Sequence, residues 1–126
     1  MAPSVLDYFI QQVSRYPEKL AVVGDNKRLT YRQLDEASSA LCALLLRRGV
    51  APGSYVPLVT LRTPEMLIGM LAIVKAGAGY IPIDARYPEK RIQDIVTQSG
   101  SPLILASNAT IALSENNFSE DIIYID

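Results

Sequence analysis

The stretch VKAGAGYIPID, residues 74–84, decides the fold of this protein. It begins at the end of an apolar helical segment that starts at Pro64, and Gly77 can adopt the left-handed conformation with which many helices end. Residues 80–83 then have the length and the composition of a short β-strand. The stretch therefore predicts a helix that turns at Gly77 into a strand.

The alternation of helix and strand continues on both sides of this stretch. Further strands are predicted at residues 55–59, 103–106 and 122–125, and helices at residues 64–76, 88–98 and, as a short one, 109–114. Pro64 and Pro88 are each predicted at the first helical position, where a missing N–H costs nothing, and Gly100 is a further helix end. Strands about twenty residues apart with a helix between them predict right-handed crossovers and a parallel sheet.

A helix and a small β-hairpin precede this α/β unit. Ser4 is the predicted N-cap of the helix, and Pro17 ends it. Residues 20–23 and 27–29 then flank a turn formed by residues 24–26, a pattern typical of a hairpin. The fold class is therefore α/β, with a mostly parallel sheet covered by helices on both faces and preceded by a helix and a hairpin.

The clearest helix in the sequence begins after the hairpin. Its predicted N-cap is Thr30, and its leucines recur at helical spacing as far as Arg48. Asp35 and Glu36 are assigned to the first turn, and Gly49 is assigned to the position after the C-cap.

Composition excludes several classes of function. The chain has 126 residues, 12 Lys and Arg against 13 Asp and Glu, one Cys and no His. A net charge of −1 gives no electrostatic reason to expect nucleic acid or an anionic membrane surface as a partner. The apolar run at residues 66–74 is far shorter than the roughly 20 residues that span a bilayer. A lone cysteine fits a reducing compartment, so we expect a cytoplasmic protein, and the absence of histidine excludes Ser-His-Asp and Cys-His catalysis.

Three features could carry chemistry, and the residues favour a structural role for each. Gly77 and Gly79 follow a helix, and Pro82 stands where a dinucleotide-binding loop has its third glycine. Lys75 precedes these glycines, whereas the lysine of a P-loop follows its glycines. Asp84 ends a strand, where ligands of open sheets bind, yet it also suits a turn before a helix. Cys42 lies in an apolar run and is predicted to pack.

Two other charged positions have equally ordinary interpretations. Asp25 is predicted to form a turn, and residues 89–91 are predicted to be a solvated first helical turn. We therefore assign no catalytic, cofactor-binding or metal-binding residue in this sequence.

Two motifs resemble a known family. LTYRQL at residues 29–34 resembles the first core motif of nonribosomal peptide synthetase adenylation domains, L-T/S-Y-x-E-L. VKAGAGYIPID at residues 74–84 resembles the second, L-K-A-G-x-A-Y-x-P-I/L-D, and RYPEKRI at residues 86–92 is similar to its extension. The departures, at Gln33, Val74, Gly79 and Ala85, remove no known chemistry. The resemblance covers essentially the whole chain and implies part of the first subdomain of an adenylate-forming enzyme.

The resemblance implies a parent enzyme that activates an amino acid or a related carboxylic acid. With ATP and Mg²⁺ it would form an acyl-adenylate and pass the acyl group to the phosphopantetheine thiol of a carrier domain. The family's phosphate loop and its C-terminal lysine have no counterpart in residues 1–126, so we expect a partial domain that is inactive by itself. The implied partners are the remainder of the adenylation domain and the carrier and condensation domains of the synthetase.

Two alternatives remain open at this point. The chain could belong to an acyl- or aryl-CoA synthetase, which shares the superfamily fold, or it could be a naturally short, non-catalytic interaction module. Because the helix at residues 64–76 is apolar nearly all round, we also expect the chain to expose apolar surface and to self-associate.

Overall fold

A computed structural model of the protein describes residues 4–24, 28–61, 63–107 and 118–125. Four helices and six strands lie within these ranges. In chain order they are α1 (Val5–Arg15), β1 (Leu20–Val23), β2 (Arg28–Thr30), α2 (Tyr31–Arg47), β3 (Tyr55–Thr60), α3 (Pro64–Lys75), β4 (Gly79–Asp84), α4 (Glu89–Ser99), β5 (Leu103–Ala106) and β6 (Asp121–Tyr124). The predicted short helix at residues 109–114 and the predicted turn at Asp25 lie outside the described residues.

The main sheet has four strands in the order β4-β3-β5-β6, and every neighbouring pair is parallel. From β3 the chain moves outward to β4 and then returns across β3 to β5. Right-handed crossovers that run in opposite directions place their helices on opposite faces of a sheet, and α3 and α4 pack in different cores here. The predicted α/β fold, with the antiparallel hairpin of β1 and β2 ahead of the sheet, is confirmed.

The side chains of the sheet divide between two cores. On one face, Leu58 and Leu105 pack with Ala72 and Ile73 of α3 and with Leu45 of α2. On the other face, Val59, Ile83 and Ile104 pack with Ile92 and Val96 of α4. A smaller cluster centred on Phe9 and Leu34 joins α1, the hairpin and α2 to α3. Strands with apolar residues on both sides are typical of a parallel sheet that is buried by helices.

The predicted helix ends agree with the structure in most places. Ser4 and Thr30 are N-caps, each in a reciprocal capping box, and Pro64 is the first residue of α3. Gly49 and Gly100 have positive φ and end α2 and α4. Within the described residues, no helix is long and apolar enough to cross a membrane.

Several details of the prediction are wrong. Pro88 is the N-cap of α4 and not its first helical residue, because its ψ of 142° is extended. Asp35 and Glu36 lie beyond the first turn of α2, since that helix already begins at Tyr31. Asp35 instead contacts α3, as described below. Other strand bounds differ from the prediction by one residue, since β3 ends at Thr60 and β4 begins at Gly79, whereas β1 and β5 have the predicted bounds.

Candidate functional site

The candidate site is a cleft beyond the carboxyl ends of β3 and β4, the edge of a parallel sheet where ligands usually bind. It has a volume of about 310 Å³. Leu58, Met66 and Ile83 contribute its apolar surface, and Thr60 and the Asp84–Arg86 pair contribute its polar groups. The cleft therefore contains the one residue, Asp84, that the sequence placed at a strand end.

Asp84 is fully engaged by a residue of its own turn. Its Oδ1 accepts hydrogen bonds from the backbone N–H of Arg86 at 2.8 Å and from Nε at 3.0 Å, and its Oδ2 accepts one from Nη2 at 2.7 Å. These bonds, those of the Arg86 side chain first, lower the pKa of Asp84 from 3.8 to about 2. The carboxylate therefore stays charged and closes the β4–α4 turn, which is the structural role that the sequence favoured.

Replacing Arg86 with glutamine is expected to raise the pKa of Asp84 from about 2 toward 3.8. The value should stop short of 3.8, because the backbone N–H of residue 86 still donates to the carboxylate. Since the folded-state pKa lies below the ordinary one, the stabilisation by this pair is complete above pH 3.8 and is lost as the pH falls through about 2. A ¹³C NMR titration of the carboxyl carbon measures the change, and an unchanged pKa would contradict this assignment. Lys90→Gln, an exposed change on α4, is the matched control.

The remaining polar groups of the cleft do not form a catalytic set. Thr60 Oγ1 donates to the carbonyl oxygen of Leu61 at 2.8 Å, so its proton is already used within the chain. Among residues 4–24, 28–61, 63–107 and 118–125, no three His, Cys, Asp or Glu side chains come together to hold a metal ion. The cleft can accommodate a small group, but its described residues offer neither a nucleophile–base pair nor a phosphate-binding loop that would fit Mg·ATP.

Lys75, the lysine of the second motif, holds two helices together. Its Nζ donates to Asp35 Oδ1 at 2.7 Å, Ser38 Oγ at 2.8 Å and Ser39 Oγ at 2.9 Å, all on α2. It also lies 5.4 Å from the centre of the Phe9 ring, on α1. Only 13% of the Lys75 side chain is exposed. The hydrogen bonds of this ammonium therefore serve the packing of the helices.

The glycines of the second motif form a helix-to-strand turn, as predicted. The N–H of Gly77 bonds to Val74 O at 3.0 Å and the N–H of Ala78 to Ile73 O at 3.1 Å, which is a Schellman motif at the end of α3. Gly77 has a φ of +82°, and a Cβ on it would lie 3.3 Å from Pro52 Cβ. A Cβ on Gly79 would lie 2.9 Å from the ring of Tyr55. These residues form no cradle for phosphate.

The first motif and the extension of the second also have structural roles. Thr30 Oγ1 accepts from the N–H of Gln33 while Gln33 Oε1 accepts from the N–H of Thr30, so glutamine completes the capping box as the family's glutamate would. Tyr31 contacts the Phe9 ring at a centroid distance of 6.2 Å. In the extension, the Arg91 guanidinium lies 4.1 Å from the centre of the Tyr87 ring.

Cys42 packs against the core on the α2–α3 face of the sheet, as the sequence predicted. Burial raises the pKa of its thiol, an effect that the nearby charge of Lys75 partly opposes. A raised pKa lowers the thiolate fraction and with it the nucleophilicity of the group.

Comparisons with known proteins place both motifs in one family. The profile of the family described as AMP-binding enzyme matches residues 9–125. Bacitracin synthase 3 of Bacillus licheniformis is 39% identical over 123 residues, which are 98% of this chain and 2% of that protein. The solved N-terminal subdomain of NpsA from Klebsiella oxytoca superposes with a TM-score of 0.80 at 28% identity, covering 98% of this chain and 32% of that one.

A second solved structure extends the superposition to the full chain. The nonribosomal peptide synthetase FmoA3 gives a TM-score of 0.88 at 28% identity, covering 100% of this chain and 14% of that one. The chain thus spans only a small part of the relatives that it matches. It belongs to the AMP-binding enzyme family, within which it corresponds to the N-terminal part of a nonribosomal peptide synthetase adenylation domain.

Proposed function

We propose that residues 1–126 are the first part of an adenylation domain whose complete form activates an amino acid or a related carboxylic acid with ATP. The carboxylate would attack the α-phosphate, pyrophosphate would leave, and the acyl group would pass to a carrier-bound phosphopantetheine thiol. The observation that carries this proposal is the match of 98% of the chain to bacitracin synthase 3, of which it spans 2%. Orientation of two anions and stabilisation of developing charge are the tasks of such an enzyme.

We further propose that these residues form a structural scaffold of the adenylation domain and do not supply its reacting groups. Three charged motif residues, Lys75, Asp84 and Arg86, are paired within the chain. Mg·ATP, the carrier domain and the condensation domain would then contact the remainder of the synthetase. A reducing, cytoplasmic setting suits the lone Cys42.

The isolated chain is expected to show no amino-acid-dependent exchange between ATP and pyrophosphate, because its described residues offer no phosphate-binding loop. The measurement is the incorporation of labelled pyrophosphate into ATP, with each amino acid and a set of aryl acids as substrates. Aryl acids are included because NpsA has been solved with 3-hydroxyanthranilyl-AMSN. A complete relative serves as the positive control. Substrate-dependent exchange by the isolated chain would refute the proposal that these residues supply no reacting groups.

A chimera tests the parent activity. Residues 1–125 of this chain, followed by the remainder of the matching adenylation domain of bacitracin synthase 3, should restore substrate-dependent exchange. A chimera that unfolds cooperatively yet exchanges with no acid would contradict the proposed function.

The isolated chain is also expected to self-associate, since large apolar side chains remain exposed. Val23 is 64% exposed, and Ile10 and Leu46 are each about half exposed. Exposed apolar surface of this kind causes association at concentrations on the order of tens of micromolar. Analytical ultracentrifugation over that range should therefore show dimers or larger species, whereas a single monomeric species would count against the proposal.

A further inference from the structure

A second concave surface shares Met66 with the candidate cleft. We name it the α3 groove; its volume is about 360 Å³. It runs between the end of β1 and the first half of α3, and its apolar lining comprises Val22, Val23, Pro64, Met66, Leu67 and Met70. No charged side chain lines it among the described residues, and two of its members are methionines, whose flexible thioethers adapt to a neighbouring surface.

The exposure of one lining residue indicates that another surface covers the α3 groove. Val23 is the most exposed large apolar side chain among the described residues, although it belongs to a strand. Exposed apolar surface that is continuous with an uncharged groove is typical of an interaction surface.

The occupant follows from the size of the relatives. The same fold superposes with TM-scores of 0.80 and 0.88 on chains of which this one covers 32% and 14%. An uncharged, apolar groove is typical of an obligate interface and not of one that opens and closes in water. We infer that the α3 groove is the seat of an apolar segment from the remainder of the same adenylation domain, an inference that rests on the proposed function.

The test compares one substitution in two settings, the isolated chain and the chimera with bacitracin synthase 3. Val23→Lys should lower the melting temperature of the chimera by at least about 5 °C, because a charge would be buried in the covered groove. The isolated chain, in which residue 23 stays exposed, should change by less than about 2 °C. Leu46→Lys, a matched change on α2 away from the groove, should leave both within about 2 °C.

A second measurement needs no substitution. Hydrogen peroxide should oxidise Met66 and Met70 at least about fivefold more slowly in the chimera than in the isolated chain, because a covered thioether is less accessible. This readout remains available even if Val23→Lys prevents the chimera from folding.

Each other outcome would overturn the inference. If Val23→Lys lowered the melting temperature equally in both settings, Val23 would contribute to stability through contacts within residues 1–126. An unchanged chimera with equal oxidation rates would show that the groove stays open. If Val23→Lys abolished self-association of the isolated chain but left the chimera unchanged, the groove would be assigned to a second copy. A chimera that folds without exchange activity would contradict the proposed function but would leave the Val23 and methionine results interpretable.

Discussion

Replacing Lys75 with methionine is expected to lower the free energy of unfolding by about 3 kcal/mol. The substitution keeps most of the side-chain length but removes the ammonium that reaches Asp35, Ser38 and Ser39. Asp35 would then keep a half-buried carboxylate without its closest partner. Leaving such a group unpaired lowers the stability by more than the loss of the hydrogen bond itself. Chemical denaturation at a protein concentration below that of self-association gives the difference.

Lys90→Met is the matched control for this prediction, because Lys90 is exposed on α4. It should change the stability by less than about 0.5 kcal/mol. A double-mutant cycle with Asp35→Asn should also show that the two changes are not additive, since both remove the same 2.7 Å contact. If Lys75→Met proved as mild as Lys90→Met, the ammonium would not be what joins α2 to α3.

The second large effect is expected at Gly77. Gly77→Ala should lower the free energy of unfolding by about 2 kcal/mol, because an L-residue is strained at a φ of +82° and because the new Cβ would press on Pro52. Gly100→Ala isolates the first cause: its φ is +67°, but a Cβ there meets nothing within 4 Å. That variant should lose only about 1 kcal/mol.

The comparison between the two glycines is made by the same denaturation experiment. If both variants lost the same free energy of unfolding, the contact between the new Cβ and Pro52 would have no effect on stability. A neutral Gly77→Ala would mean that residue 77 does not need the left-handed conformation, which would contradict the Schellman motif at the end of α3.

Local signals explain which parts of the fold were predictable. Caps depend on residues within four positions of each other, so Ser4, Thr30 and Gly49 could be assigned from the sequence. The parallel sheet followed from the spacing of its strands. Pro88 was misassigned because the fixed φ of proline is compatible with both the N-cap and the first helical residue, and only ψ separates the two.

The pairing of Lys75 with Asp35 could not be predicted, because forty positions separate the two residues in the sequence. The available signal was the lysine itself, a charge at the end of an otherwise apolar helix that had to find a partner. Asp84 was correctly assigned to a turn, yet its partner Arg86 was missed, although two positions separate them. An aspartate followed by an arginine after one residue is too common a pattern to indicate a pair.

The position of β3 inside the sheet has a consequence for synthesis on the ribosome. When Asp84 emerges, β3, α3, β4 and the Lys75 contacts can already form, since none of them needs later residues. The opposite edge of β3 must then wait for β5, which ends at Ala106. Translation of the intervening residues takes roughly one to four seconds, during which a nascent strand with apolar side chains on both faces has one unpaired edge. Protection of that edge by the ribosome or a chaperone would therefore matter more for the yield of this unit than for its final stability.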